Sequence, residues 1–332
     1  MTIPINITFL PSWWYRNYGI EFGERYYFDP EYRVRTDMEM QRMLYSQFRK
    51  IGLGKKDPTP VPWLRFDHIV PVLFGAKHTF AEDQYVWVHS LNLSEAEIDC
   101  LKTPDIENSY PLPELLKQAA YLEEKYGMDK IGFIDTGGVQ NNALEIRGEQ
   151  LFCDYYQRPE LARKVLEVSV DTMILLYRFF RKLYARMRDD LIVAGNCTVC
   201  MISPKIYHDF LFQYDAQLSK LSTKFAIHHD SIIDKYLVEY RRHKNVVWLD
   251  VGWGSNISAT RECFPNAHLN LMVSPVFVKE KQPGEISARI EEMISEGKPL
   301  EKLSIWIPDV EYGTPDENIV SIFERVDCIS EM

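Results

Sequence analysis

Cysteine is sparse in this chain of 332 residues: six, at positions 100, 153, 197, 200, 263 and 328. They are scattered, which excludes the dense disulfide framework of a small secreted domain. Basic charge is also short, with Lys and Arg totalling 38 against 48 Asp and Glu, a formal net charge of -10. A nucleic-acid binder needs a basic footprint, so that class is excluded, although a local cationic pocket is not. Long apolar runs are missing: the most apolar window, Val168 to Phe180, is broken by Asp171 and Arg178 and is no membrane span. No basic stretch followed by an apolar one marks a signal peptide, and no G-x-G-x-x-G follows a strand-like run. These absences lead us to expect a soluble, cytoplasmic, reduced protein with no nucleic-acid or membrane partner.

What is present is an ordinary globular composition, 46% hydrophobic and 26% charged. A chain of this length buries a core without disulfide or metal staples. The usual roughly 150 residues per domain suggests two domains, but α/β barrels pass that length as one. No repeat or linker divides the chain, so we expect one domain over 1–332. Residues 1–65 differ from the rest, holding Trp13, Trp14 and Trp63 and ending in Pro58, Pro60 and Pro62. Within them only Asp37–Arg49 has helical spacing. We expect this segment to form an aromatic-rich cap, suited to a flat organic ligand or simply packed down by its rings.

From residue 112 short apolar runs alternate with amphipathic stretches. Strands are expected at Ile131–Ile134, Leu191–Ala194, Phe225–Ile227, Val246–Asp250, Leu269–Val273 and Leu303–Ile307. Helices are expected at Leu112–Tyr126, Val139–Leu151, Pro159–Met187, Ser203 to Leu221, Asp230 to Arg242, Ser258–Phe264 and Glu285–Ser295, with a last one opening at Thr314-Pro315. Two further strands fit Ile69–Leu73 and Tyr85–His89. Strands alternating with helices define right-handed βαβ units and a parallel sheet. Eight units predict an α/β fold of the closed (β/α)8 TIM-type barrel, with the N-terminal cap over it. An open doubly wound sheet is the rival, and the missing glycine fingerprint counts against it.

In a parallel barrel the chemistry gathers at strand C-termini. That rule selects Asp135 and Thr136, then Asn196, Cys197 and Cys200, then His228, His229 and Asp230. It further selects Asp250, Trp253, Ser255 and Asn256, then Asp309 and Glu311. Imidazole, thiolate and carboxylate are ordinary zinc donors, and a catalytic zinc takes three protein ligands. His228 and Asp230 therefore form a candidate metal pair, with Cys197, Cys200, Asp309 or Glu311 completing it. Asp230 also suits the cap of the next helix, and His228 a strand-end structural role. Arg16 and Arg261 are candidate anion clamps, or surface cations. Asp250 is a candidate general base.

The order of motifs resembles the uroporphyrinogen decarboxylase superfamily, and within it the corrinoid-dependent methyltransferase and O-demethylase branch. The resemblance is carried by Asn196-Cys197 leading into Met201-Ile202-Ser203-Pro204-x-x-Tyr207, by Tyr214-Asp215 and by Ile227-His228. Leu249-Asp250-x-Gly252 and Thr314-Pro315-x-Glu317-Asn318-Ile319 continue it. The N-terminal Pro11-x-Trp13-Trp14-Tyr15-Arg16 and Asp29-Pro30-Glu31-Tyr32-Arg33 look like the same branch.

The resemblance implies a (β/α)8 barrel that moves a methyl group to or from a corrinoid protein. It also implies a zinc ion on a His-x-Cys pair and a late Cys. This chain has Asp230 where the first Cys would fall, Asp309 and Glu311 near the late one, and Ser255-Asn256 in place of Ser-Asp. The implied zinc site is then His228, Asp230, Glu311 and Cys197, or it is lost. His228, Asp250 and Tyr207 are the expected catalytic groups, with His228 or Tyr207 a general acid if no metal is held. Arg16, Trp14, Asn196 and Trp253 are expected at the substrate. The expected function is the methyltransferase component of an O-demethylase-type system. It would take a methyl group from a small-molecule donor, a methoxylated aromatic, to the cobalt of a separate corrinoid-binding protein. The alternatives are a decarboxylase acting on a tetrapyrrole, clamped by Arg16, Arg25, Arg33 and Arg35, and a metal-less binding homologue.

Overall fold

The computed structural model describes residues 2–60, 66, 68–127, 135–183 and 191–331. Its strands are β1 (Ile5–Phe9), β2 (His78–Ala81), β3 (Gln84–Val88), β4 (Leu191–Gly195), β5 (Lys224–His228), β6 (Val246–Val251), β7 (His268–Met272) and β8 (Leu303–Val310). Six of them form one parallel sheet in the spatial order β1-β8-β7-β6-β5-β4. Parallel neighbours require crossovers, and helical segments supply them, among them Ile257–Cys263 between β6 and β7 and Pro283–Gly297 between β7 and β8.

The alternation expected from residue 191 onward is present, and the sheet is α/β and parallel. A closed eight-stranded barrel is not: the described residues hold six parallel strands. The strand expected at Ile131–Ile134 lies outside the described residues, as does Trp63. Ile69–Leu73 is a helix, buried throughout. Pro71 suits no central strand, and a short apolar run does not by itself distinguish strand from buried helix. Tyr85–His89 falls on β3, which pairs antiparallel with β2 in a separate hairpin.

The largest departure is β1. Residues 1–65 were expected outside the sheet, yet Ile5, Asn6 and Ile7 pair with Ile305, Trp306 and Ile307 of β8. The rest of the segment is helical at Pro11–Tyr18, Glu24–Phe28 and Pro30–Phe48. The last begins seven residues ahead of its expected start, because Asp29 accepts from the backbone N–H of Glu31 and Tyr32 and Pro30 presets the first turn.

Two downstream helices are also shorter than expected. The stretch from Val139 ends at Arg147, and a separate helix runs Gln150–Gln157. After β5, Asp230 caps nothing; a short 3₁₀ turn, Asp234–Tyr236, and a helix, Leu237–Tyr240, follow instead.

The sheet has two unlike faces, and period-2 alternation assigns them. Leu249, Leu269, Leu271, Leu303, Ile305 and Ile307 are fully buried. They share one face, since register pairs Leu249 with Leu269 and Leu271 with Ile305. The opposite face carries Trp248 and Asp250, His268 and Asn270, and Ser304 and Trp306. Register sets Asp250 beside Asn270 and Asn270 beside Ser304. A row of polar side chains therefore crosses three strands, and it ends at the C-terminal edge where β5 delivers His228.

Candidate metal centre

His228 is the last residue of β5, and its Nδ1 lies 2.7 Å from Asp250 Oδ2. A carboxylate only accepts, so Nδ1 carries a proton and Nε2 is the nitrogen left to face Cys197; Nε2 carries a proton too while the ring is charged and has to give it up to a metal. Asp250 is itself held. Trp248 Nε1 and Asn270 Nδ2 donate to its Oδ1 at 2.7 and 2.9 Å. Ser304 Oγ donates to Asn270 Oδ1 at 2.6 Å, and His268 Nε2 donates to Ser304 Oγ at 2.9 Å. Every donor in this row points toward Asp250. The Trp248 and His268 rings stack at 4.1 Å and brace the row from one side.

Cys197, His228 and Asp230 each place a donor atom within 4.8 Å of the others, all three half-buried. They come from two loops at one end of the sheet. Cys197 opens the short 3₁₀ turn Cys197–Met201 after β4, and Asp230 lies two residues beyond β5. The Asn196 N–H donates to the His228 carbonyl at 2.7 Å, which ties the two loops together. Gly252, just past β6, lets the Asp230–Ser231 backbone pass; a Cβ there would overlap the Asp230 carbonyl carbon and the Ser231 backbone.

Burial disfavours a charged His228. The hydrogen bond to Asp250 and the nearby Cys197 outweigh it and push the imidazole up to about 11. His229, next in the chain, points the other way. It is buried, with Nδ1 2.8 Å from the Tyr240 hydroxyl and Nε2 3.1 Å from Ser231 Oγ, and burial pulls it down to about 4. One extended step thus separates a histidine at the cluster from one in the core.

Asp309 approaches from β8. It has φ +53°, the left-handed region. The β1–β8 register shifts between Ile7 and Phe9, so Asp309 sits on a bulge, a device that re-aims a side chain. Burial, then the Asp230 carboxylate, raise its pKa, while His228 pulls the other way.

The other expected site residues lie elsewhere. Glu311 pairs with Lys279 at 2.8 Å and is no member of the cluster. Tyr207 is fully buried; its hydroxyl donates to Asp215 Oδ2 at 2.6 Å, and burial holds its pKa well above the usual value. Asn196 is fully buried, and Trp14 packs among Phe9, Trp13 and Tyr18, so neither offers surface to a substrate. Arg16 is exposed and 3.9 Å from Asp83 at the hairpin tip. Trp253, 37% exposed, lines a cleft of about 210 Å³ with Met272, Phe277 and Met293, a cleft to which Cys197, His228 and Asp230 do not contribute. Arg261 donates to the carbonyls of Gly297, Phe264, Ala267 and Lys302, a structural clasp rather than an anion clamp.

Trp248, Asn270, Ser304 and His268 support the site and are not among the residues expected there. Their signal was available as polar residues at alternate positions of strands whose other positions are Leu and Ile.

No protein-family model matches the chain, and no curated protein matches it in sequence. Among solved structures it is similar to a methyltransferase from Methanosarcina mazei. That likeness has a TM-score of 0.69 over 99% of this chain and 94% of the other, at 14% identity. At that identity the likeness is one of fold: the chain shares the fold of that structure. Among the described residues no helix is long and apolar enough to cross a membrane.

Proposed function

We propose that the chain is the methyltransferase component of a corrinoid-dependent methyl-transfer system, acting on a methyl ether through a zinc centre on Cys197, His228 and Asp230. The observation that carries the reading is the convergence of these three donors at the C-terminal edge of a parallel sheet, with Asp250 on the far nitrogen of His228. The donor set fits zinc. It supplies one sulfur, one nitrogen and one oxygen, the number of protein ligands a catalytic zinc takes, and a carboxylate on the second imidazole nitrogen is the usual orienting partner. When bound, zinc supplies Lewis acidity to the ether oxygen, and the corrinoid supplies the cobalt that accepts the methyl group.

The chain's own residues do the rest. Asp250 keeps His228 in the Nδ1–H tautomer, and Asn270 and Trp248 keep Asp250 from turning. Gly252 and the Asn196–His228 backbone bond hold the two ligand loops in one place. Asp309, near enough to Asp230 and His228 to feel both charges, would be the residue that carries a proton to the departing oxygen.

A large partner must cover this end for a protein-borne corrinoid to reach it, and the rim suits one. Each strand from β4 to β8 is followed by an exposed apolar side chain: Met201, Ile232, Trp253, Val276 and Tyr312. Apolar residues gathered at one end mark an interaction surface. The tetrapyrrole reading finds less support, because its expected cation clamp is engaged elsewhere. Arg33 is buried against Gln118, Arg25 pairs with Asp29, and Arg35 lies over the Tyr32 ring.

The test combines the zinc-loaded protein, a reduced corrinoid protein and a panel of methoxylated aromatics. Cobalt methylation, seen as a change in the visible spectrum, supports the reading. No zinc binding together with no methylation across the panel overturns it.

A further inference from the structure

Beneath the metal centre lies a buried carboxyl for which the proposed reaction has no use. Asp215 is 1% exposed, on the helix Phe212–Ser219. Its Oδ2 accepts from the Tyr207 hydroxyl at 2.6 Å and from Asn196 Nδ2 at 3.1 Å. Its Oδ1 has no partner, and neither does Oδ1 of Asn196, also fully buried. No Lys or Arg pairs with Asp215 among the described residues. The titratable groups packed around it are Tyr207 from the preceding turn and Tyr240 and His243 from the segment after β5, with Cys197 beside Tyr240.

Two bare acceptors on two groups already joined by a hydrogen bond are costly if both are real. One proton removes the cost. An amide and a carboxylic acid form a closed pair in which the amide N–H donates to the acid carbonyl and the acid O–H donates to the amide oxygen.

We propose that Asp215 is held as a neutral acid, its Oδ1–H donated to Asn196 Oδ1, and that this closed pair is the positioning device for the turn that bears Cys197. Asn196 is the hinge of the device: its side chain faces Asp215, its N–H bonds the His228 carbonyl, and its neighbour is Cys197. Burial raises the Asp215 pKa to about 6 against the opposing pull of Tyr207 and Asn196, and donation by the acid O–H adds to the rise. The pair stands without the proposed function; only the zinc readout below rests on it.

Infrared difference spectra of the intact protein at mildly acidic pH test the pair. Wild type is expected to show a protonated-carboxyl stretch that shifts on deuteration and on carboxyl-¹³C aspartate labelling. Asp215→Asn abolishes this band yet rebuilds the closed pair as amide on amide, so its zinc affinity stays within about threefold of wild type. Asn196→Leu keeps the acid, moves the band to higher frequency, and weakens zinc on the order of 10- to 100-fold. A wild type without the band overturns the proposal. So does a zinc loss in D215N as large as that in N196L. Should D215N not fold, labelled wild type against N196L decides: a band that does not move between them overturns it. Wild type that shows the band and binds no zinc supports the pair while sinking the metal centre.

Discussion

His228 Nδ1 donates to Asp250 Oδ2 at 2.7 Å, and the remaining Asp250 oxygen takes both Trp248 and Asn270. A histidine so held keeps its ring in one orientation, with Nδ1 on Asp250 and the other nitrogen left for the cluster with Cys197 and Asp230. Asp250→Ala removes that hold without touching a donor atom. Zinc affinity is expected to fall about 10- to 100-fold, with the fold intact. Competition with a chromophoric chelator measures the first and circular dichroism the second.

Cys197→Ala and Glu311→Ala separate the members of the expected ligand set. The first removes a member of the cluster and is expected to lower bound zinc well below one per chain. The second breaks only a surface pair with Lys279. Its effect on stability is expected within about 0.5 kcal/mol, and its zinc content is expected to match wild type. Metal analysis of the two purified variants distinguishes them; equal zinc loss in both would return Glu311 to the site.

Gly252→Ala tests the close passage between β6 and the Asp230 loop. Its Cβ meets backbone rather than a flexible side chain, so the loop has to move. Destabilisation of about 1–3 kcal/mol by urea unfolding is expected, with zinc binding weakened at the same time. A variant as stable as wild type, with full zinc affinity, would show that the loop has another route.

The buried histidines predict a pH dependence. Burial pulls both His229 and His243 down to about 4. Between that value and the unfolded value near 6.5 the unfolded chain binds more protons than the folded one. The stability these neutral rings contribute is therefore complete above about pH 6.5 and is lost as pH falls toward about 4. The loss is on the order of 2–3 kcal/mol for each ring. Urea midpoints across this range should fall with acidity, and His229→Gln should flatten the curve. An unchanged curve in that variant would assign the acid sensitivity elsewhere.

Asp309 adopts a left-handed backbone that most side chains resist. Asp309→Asn is expected to leave stability within about 0.5 kcal/mol, because Asn tolerates that region, while Asp309→Val costs about 1–2 kcal/mol. Thermal unfolding of both, run with methyl-transfer assays, separates strain from chemistry. If D309N transfers methyl groups at the wild-type rate, Asp309 carries no proton.

The local sequence determined the strands from Leu191 onward and the residues at their ends, because apolar runs between capped helices fix both element type and direction. His228, Asp230, Asp250 and Cys197 followed from that rule alone. Tertiary structure decided what a local window does not contain. The pairing of Ile5–Phe9 with β8 joins segments about 300 residues apart and moved part of an expected cap into the sheet. Trp14, Asn196 and Tyr207 have the chemistry of site residues, and only packing shows them enclosed. Asn270 and Ser304 look like ordinary strand polar residues until register sets them beside Asp250. Glu311 and Asp309 are two residues apart on the same β8 exit, and the bulge sends one toward His228 while Lys279 takes the other. Residue type names the candidates; register, bulge and burial choose among them, because a donor atom works only where neighbouring strands bring its partners within reach.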